Sequence, residues 1–153
     1  MVRFARDLAR TTHYMTRDYG QGCPIARTLD LIGERWTMLI LRDLFLNVTK
    51  FNEFREHSPG MPTKILADRL KSLERYGLVQ RRVYSEHPLR AEYQLTALGR
   101  SLEPVMSAVY AWGMKHAVSP SERVAIRRHV AGRGAQPRCL ARSSTPTPAA
   151  RPR

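Results

Sequence analysis

Cysteines, long apolar runs and catalytic signatures are scarce in this 153-residue sequence. Its two cysteines, Cys23 and Cys139, cannot build a disulfide framework and stand at no metal-ligand spacing, so neither metal nor cofactor is expected. The most apolar run, Trp36 to Leu46, is interrupted by Arg42 and Asp43 and is too short to span a bilayer. Residues 1–22 contain no apolar stretch of the secretory kind, and a cytoplasmic, nucleoid-associated protein is expected. The five histidines (His13, His57, His87, His116, His129) are scattered without an HExxH pattern. A Gly-rich phosphate loop and a nucleophile elbow are also missing, which argues against an enzyme. His57-Ser58 reads as loop chemistry and not as a catalytic fragment.

Positive charge is abundant. Twenty-six Lys and Arg against 13 Asp and Glu leave a formal net charge of +13, the mark of a polyanionic partner. The surplus is uneven: +2 in residues 1–22, +4 in 23–118 and +7 in 119–153. Three zones follow: a polar N-terminal extension (1–22), a densely patterned domain (23–118), and an Arg/Pro-rich tail (119–153). The tail holds five of the ten prolines and no aromatic residue, so disorder is expected there, apart from a short helix around Glu122–His129.

In the middle zone, Pro24 suits a first helical position, Ile25, Leu29 and Ile32 share one stripe, and Gly33 ends that helix. A second, central helix is expected from Trp36 to Leu46, with Leu39, Ile40, Leu41, Leu44 and Phe45 buried. Phe51–Glu56 forms a third, Ser58-Pro59-Gly60 a turn, and Pro62 opens a fourth running to Tyr76 and closed by Gly77. The period then changes to two. Leu78–Tyr84 and Arg90–Thr96 read as strands joined by Ser85-Glu86-His87-Pro88, and Leu98–His116 as one long helix. The order predicts a mainly α fold with a small β-hairpin wing: a winged helix-turn-helix with a C-terminal dimerisation helix.

Projected at about 100° per residue, the fourth helix has two faces. Leu66, Leu70 and Leu73, widened by Ile65 and Tyr76, form the inner one. Lys64, Lys71 and Arg75, with Ala67 and Asp68 between them, form the outer one. A charged outer face is ordinary for a soluble helix. The turn before it and the hairpin after it make it a recognition helix for the major groove. Thr63, Lys64, Ala67, Asp68, Lys71 and Arg75 are the candidate contacts there. Arg82 and Arg90 would hold the wing to the DNA backbone. Arg81 and Arg82, adjacent in a strand, face opposite ways, so one of them is expected to meet DNA. Arg69 projects nearer the core and is expected to tie the helix to a neighbouring carboxylate. Trp36, Tyr110 and Trp112 lie within apolar helical runs and read as packing residues and not as a base-stacking set.

Several runs together resemble the HxlR-type helix-turn-helix family, bacterial regulators related in architecture to the MarR group. They are Cys23-Pro24-Ile25, Leu29 to Thr37, Lys50 to Arg55, Pro59-Gly60-Met61, Leu66 to Glu74, Tyr76 to Val79, Arg82-Val83-Tyr84, Glu92 to Thr96, Leu98 to Leu102 and Trp112-Gly113. The resemblance covers about residues 22–116. It implies a winged-helix transcription regulator that binds operator DNA as a dimer. A sequence-specific regulator acting as a homodimer on a pseudo-palindromic operator is expected, with repression the expected mode and activation left open. Glu34-Arg35 where the family usually has Gly-Lys, Pro62 where Ser is common, and Leu89 in place of a second wing proline are its departures.

The apolar surface of Leu102, Val105, Met106, Val109 and Trp112, with Ile25 and Leu29 of the first helix, is the expected dimer interface. Cys23, at the N-cap where the helix dipole favours a thiolate, is a candidate redox sensor; the effector is otherwise unknown. A bland alternative for Cys23 is a small capping residue. The alternative for the whole chain is a non-specific nucleic-acid binder driven by the Arg-rich tail.

Overall fold

The structure is a computed structural model that describes residues 19–87 and 89–131. Pro88 and Cys139 lie outside the described residues, as does the tail beyond Ala131. The chain divides after Leu102 into two compact parts.

The first part opens with α1 (Pro24–Ile32), in which Pro24 sits in the first turn, where a missing N–H costs no hydrogen bond. Ala26, Asp30 and Ile32 are its buried residues. Gly33 closes it by donating to the Leu29 carbonyl at 2.7 Å. Helix α2 (Thr37–Phe45) follows, its N-cap Trp36 held at φ 79°, a left-handed conformation rare for a bulky residue. Ile40, Leu41 and Leu44 are buried. Leu39 is 38% exposed and Phe45 half-buried, so this helix is not enclosed all round as its composition predicts.

Helix α3 (Phe51–His57) is one residue longer than expected, and its fully buried Phe54 meets Tyr93 edge-on at 6.4 Å. The turn after it carries Gly60 at φ 95°, which a side chain would resist. Helix α4 (Thr63–Arg75) then runs to a stop at Tyr76-Gly77, Gly77 having φ 69°. Strands β1 (Val79–Glu86) and β2 (Leu89–Leu95) form an antiparallel hairpin. Pairing reaches Glu86 opposite Leu89, so Ser85 and Glu86 belong to the strand and not to the turn. Lys50 bridges to Glu92, and the Tyr93 N–H donates to the Thr49 carbonyl at 2.8 Å, adding a rudimentary third strand. Val79 and Leu95, opposite each other, turn inward to α2, α3 and α4, where the core lies.

The single helix expected over Leu98–His116 is broken. Helix α5 (Ala97–Arg100) is capped by Thr96, whose hydroxyl accepts the Gly99 N–H at 3.0 Å. A Cβ on Gly99 would collide with the Leu78 carbonyl, so the close approach of α5 to the start of β1 needs glycine. Ser101 and Leu102 make tight i→i−3 bonds at 3.1 and 3.2 Å. Pro104, with no N–H to continue the ladder, sits in the first turn of the next helix.

That next helix, α6 (Glu103–His116), belongs to the second part and buries none of its residues. Helix α7 (Pro120–Ala131) follows, started by Ser119 and Glu122 in mutual hydrogen bonding. It is longer than the Glu122–His129 helix expected and occupies the beginning of a segment read as disordered. Among the described residues no helix is long and apolar enough to cross a membrane.

Candidate nucleic-acid interface

Helix α4 divides as its sequence requires. Leu66, Leu70 and Leu73 are each 0% exposed, with Ile65 and Tyr76 half-buried beside them. Thr63, Lys64, Ala67, Asp68, Lys71 and Arg75 are all exposed, so the six candidate contacts form one continuous outer surface. Burying three leucines fixes the roll of the helix, and that roll decides which side chains a ligand meets.

The approach to α4 is held from below by a buried carboxylate. Asp43 is 0% exposed and accepts from Arg42 Nε at 2.9 Å. It also accepts from the Ser58 hydroxyl at 3.5 Å and lies 3.7 Å from His57 Nδ1. Ser58 in turn accepts the Met61 N–H on its carbonyl at 3.1 Å, so one buried charge organises the whole turn between α3 and α4. The start of α3 is secured by Glu53, which accepts the N–H groups of Lys50 at 3.1 Å and Thr49 at 3.2 Å. The Lys50 amide bond, foremost, holds the Glu53 carboxyl below its ordinary range.

Arg69 behaves as expected: its guanidinium meets Glu34 at 2.9 Å, a partner the sequence did not identify. In the wing, Arg81, Arg82 and Arg90 are all exposed, so burial does not choose between the adjacent pair. The pleat does separate them. Arg81 shares a face with the inward pair Val79 and Leu95, and Arg82 lies on the opposite face beside Gln80, across from Glu92.

Two features escaped the sequence reading. The register slips between Val83 and Ser85, leaving Tyr84 as the extra residue of a bulge, 49% exposed between Arg82 and Arg90. A cavity of about 510 Å³ opens where α3 meets the start of α4, lined by Asn52, Arg55, Glu56, Gly60, Met61, Pro62 and Thr63. The Ser58-Pro59-Gly60 turn was the signal that brings the first of these residues to Thr63; nothing in the strand pattern announces the bulge.

Cys23 is the N-cap of α1 and is exposed. The backbone N–H groups of Ala26 and then Ile25 pull its thiol below the ordinary cysteine value. Of the apolar set, Ile25 is 71% exposed and Leu29 41% in the first part of the chain. In the second part, Val105, Val109 and Trp112 are exposed and Met106 is half-buried, while Leu102, at the end of the first part, is half-buried.

Comparison with known proteins bears on this geometry directly. The family model for HxlR-like helix-turn-helix proteins matches residues 31–120. An uncharacterised HTH-type transcriptional regulator of Bacillus subtilis, YdeP, is 41% identical over 103 residues, 67% of this chain and 80% of its own length. The solved structure of the redox regulator HypR in its oxidised form is similar at a TM-score of 0.57 and 37% identity, covering 61% of this chain and 97% of that one. The reduced form of the transcriptional regulator YodB from B. subtilis gives 0.53 and 35% identity, covering 63% and 95%.

Proposed function

Because this chain belongs to the HxlR-like helix-turn-helix family of transcriptional regulators, not of enzymes, we propose that it represses by binding a pseudo-palindromic operator as a homodimer. The observation that carries this reading is α4, whose three leucines are fully buried while Thr63, Lys64, Ala67, Asp68, Lys71 and Arg75 line its exposed side. Lys64 and Lys71, with Thr63, reach base edges or flanking phosphates; Arg82 and Arg90 hold the wing to the backbone. Tyr84, the bulged residue of β1, adds an exposed aromatic ring and hydroxyl to that wing. The exposed Ile25 and Leu29 on α1, and Val105, Val109 and Trp112 on α6, with Leu102 and Met106, supply the dimer contacts. Two recognition helices related by a two-fold axis match half-sites about one helical turn apart, or a multiple of it.

Selection from a pool of random duplex DNA tests the reading. A pseudo-palindrome bound in competition with unselected DNA is the expected result, together with dimer mass by light scattering at micromolar concentration. Enrichment of no sequence, with affinity that collapses in salt, would instead establish a non-specific binder driven by the basic tail.

The same reading assigns a switch to Cys23, which is supported by its exposure, its lowered pKa and the similarity to a redox regulator. Two thiols, Cys23 with Cys23 of the partner subunit or with Cys139, join as an oxidant takes up two electrons and two protons. Diamide is expected to abolish operator binding by the wild type and to spare Cys23→Ser, with a crosslinked band on a non-reducing gel. Equal loss in both proteins would refute the switch.

A further inference from the structure

We propose that Glu34 and Arg69 are positioning residues whose ion pair sets the angle of α4 against α1, and thereby the half-site spacing the dimer accepts. The inference rests on the dimeric operator reading above.

Arg69 lies on the flank of α4, between the buried leucines and the exposed cations. Its guanidinium meets the Glu34 carboxylate at 2.9 Å, joining residues 35 positions apart. The Arg69 side chain is only 22% exposed, and its buried Nε–H has no hydrogen-bond partner. Ion pairs between two fully exposed side chains contribute little. Here the cation is largely withdrawn from water and one donor is already unsatisfied, so removing the carboxylate leaves a charge the site tolerates poorly. The side chain then swings toward solvent and frees the flank of α4 from the α1–α2 link, so the tilt of the helix about its buried leucines is less closely set.

Glu34 is itself held firmly. It belongs to the four residues, Gly33 to Trp36, that connect α1 to α2. At one end of this link a Cβ on Gly33 would sit 2.5 Å from the Leu29 carbonyl oxygen. At the other end Trp36 has φ 79°, with the Arg35 guanidinium 5.2 Å over its ring. A bulky residue keeps such a backbone only where its surroundings over-determine it. The Thr37 N–H also closes onto the Glu34 carbonyl at 3.1 Å, so Arg69 is tied to a short, hydrogen-bonded link at the end of α1. With Ile25 and Leu29 of α1 in the proposed dimer interface, the angle between α1 and α4 contributes to the separation of the two recognition helices.

The test uses the operator that the wild-type protein selects from random duplexes, remade with its centre lengthened or shortened by one and two base pairs. Wild type is expected to prefer its own spacing by about tenfold, within the usual range of a coupling between two sites. Glu34→Gln is expected to flatten that preference to about threefold or less, below the usual range of a coupling between two sites, with cooperative thermal unfolding retained. Arg69→Lys, which keeps the charge and loses the fork, should fall between them. The swapped pair Glu34→Arg with Arg69→Glu should restore the wild-type ranking. A Glu34→Gln protein that ranks spacings as wild type does would overturn the inference and leave the operator reading intact. Loss of cooperative unfolding in the single variants, with no rescue by the swap, would make the pair merely structural and also overturn it. A wild-type protein indifferent to spacing would refute the dimeric reading itself, and the inference with it.

Discussion

Helices α4 and α6 are nearly equal in length, 13 and 14 residues, and both carry regularly spaced apolar side chains, yet they place them differently. In α4, Leu66, Leu70 and Leu73 vanish into the chain's own core and the opposite side of the helix is exposed. In α6 no residue is buried, and Val105, Val109 and Trp112 stand 39%, 53% and 64% exposed. An apolar stripe satisfied within the chain frees the opposite face for a ligand. A stripe left in water costs free energy until another surface covers it. We propose that α4 is the DNA-facing element and α6 the chain-facing one.

Truncation separates the two most sharply. Leu70→Ala should lower the unfolding free energy by about 2–5 kcal/mol, seen in urea titration, because it opens a cavity where nothing else can close it. Val109→Asp should leave folding intact and instead shift light-scattering mass from dimer to monomer; a stable dimer in that variant would break the comparison. A smaller effect is expected in the wing. Arg82→Ala and Arg90→Ala should each weaken operator and random DNA alike and reduce the slope of log affinity against log salt by about 1.

The smallest effect lies at the start of α3, the helix against which α4 packs. Glu53→Gln should cost about 0.5–1 kcal/mol near neutral pH, the scale of a capping interaction at an exposed helix end. Because the folded protein holds this carboxyl below its ordinary value, the contribution is complete above about pH 4.3, where the unfolded chain is ionised. It fades as the pH falls through the lower folded-state value, and the stability curves of wild type and variant should converge there.

Sequence made α4 legible because three leucines at helical spacing, a glycine stop and a preceding Ser58-Pro59-Gly60 turn all agree. The same reasoning located Cys23 as an N-cap and foresaw a carboxylate for Arg69, but could not find Glu34, since a contact across 35 residues leaves no local trace. The break at Ser101-Leu102 was missed because apolar periodicity continues straight across it; Pro104 and the glycine-dependent approach of Gly99 to Leu78 decide it instead. The left-handed Trp36 and the bulge at Tyr84 are likewise imposed by tertiary packing on residues whose own preferences point elsewhere.

We propose that the exposed side of α4 reads operator DNA. The most direct measurement is the affinity of Lys64→Ala and Lys71→Ala for the selected operator, set against their affinity for random duplex. A loss of about 1–3 kcal/mol on the operator is expected for a base-reading lysine, with relaxed preference at the bases it meets and little change on random DNA. Unchanged operator affinity and unchanged preference in both variants would contradict it.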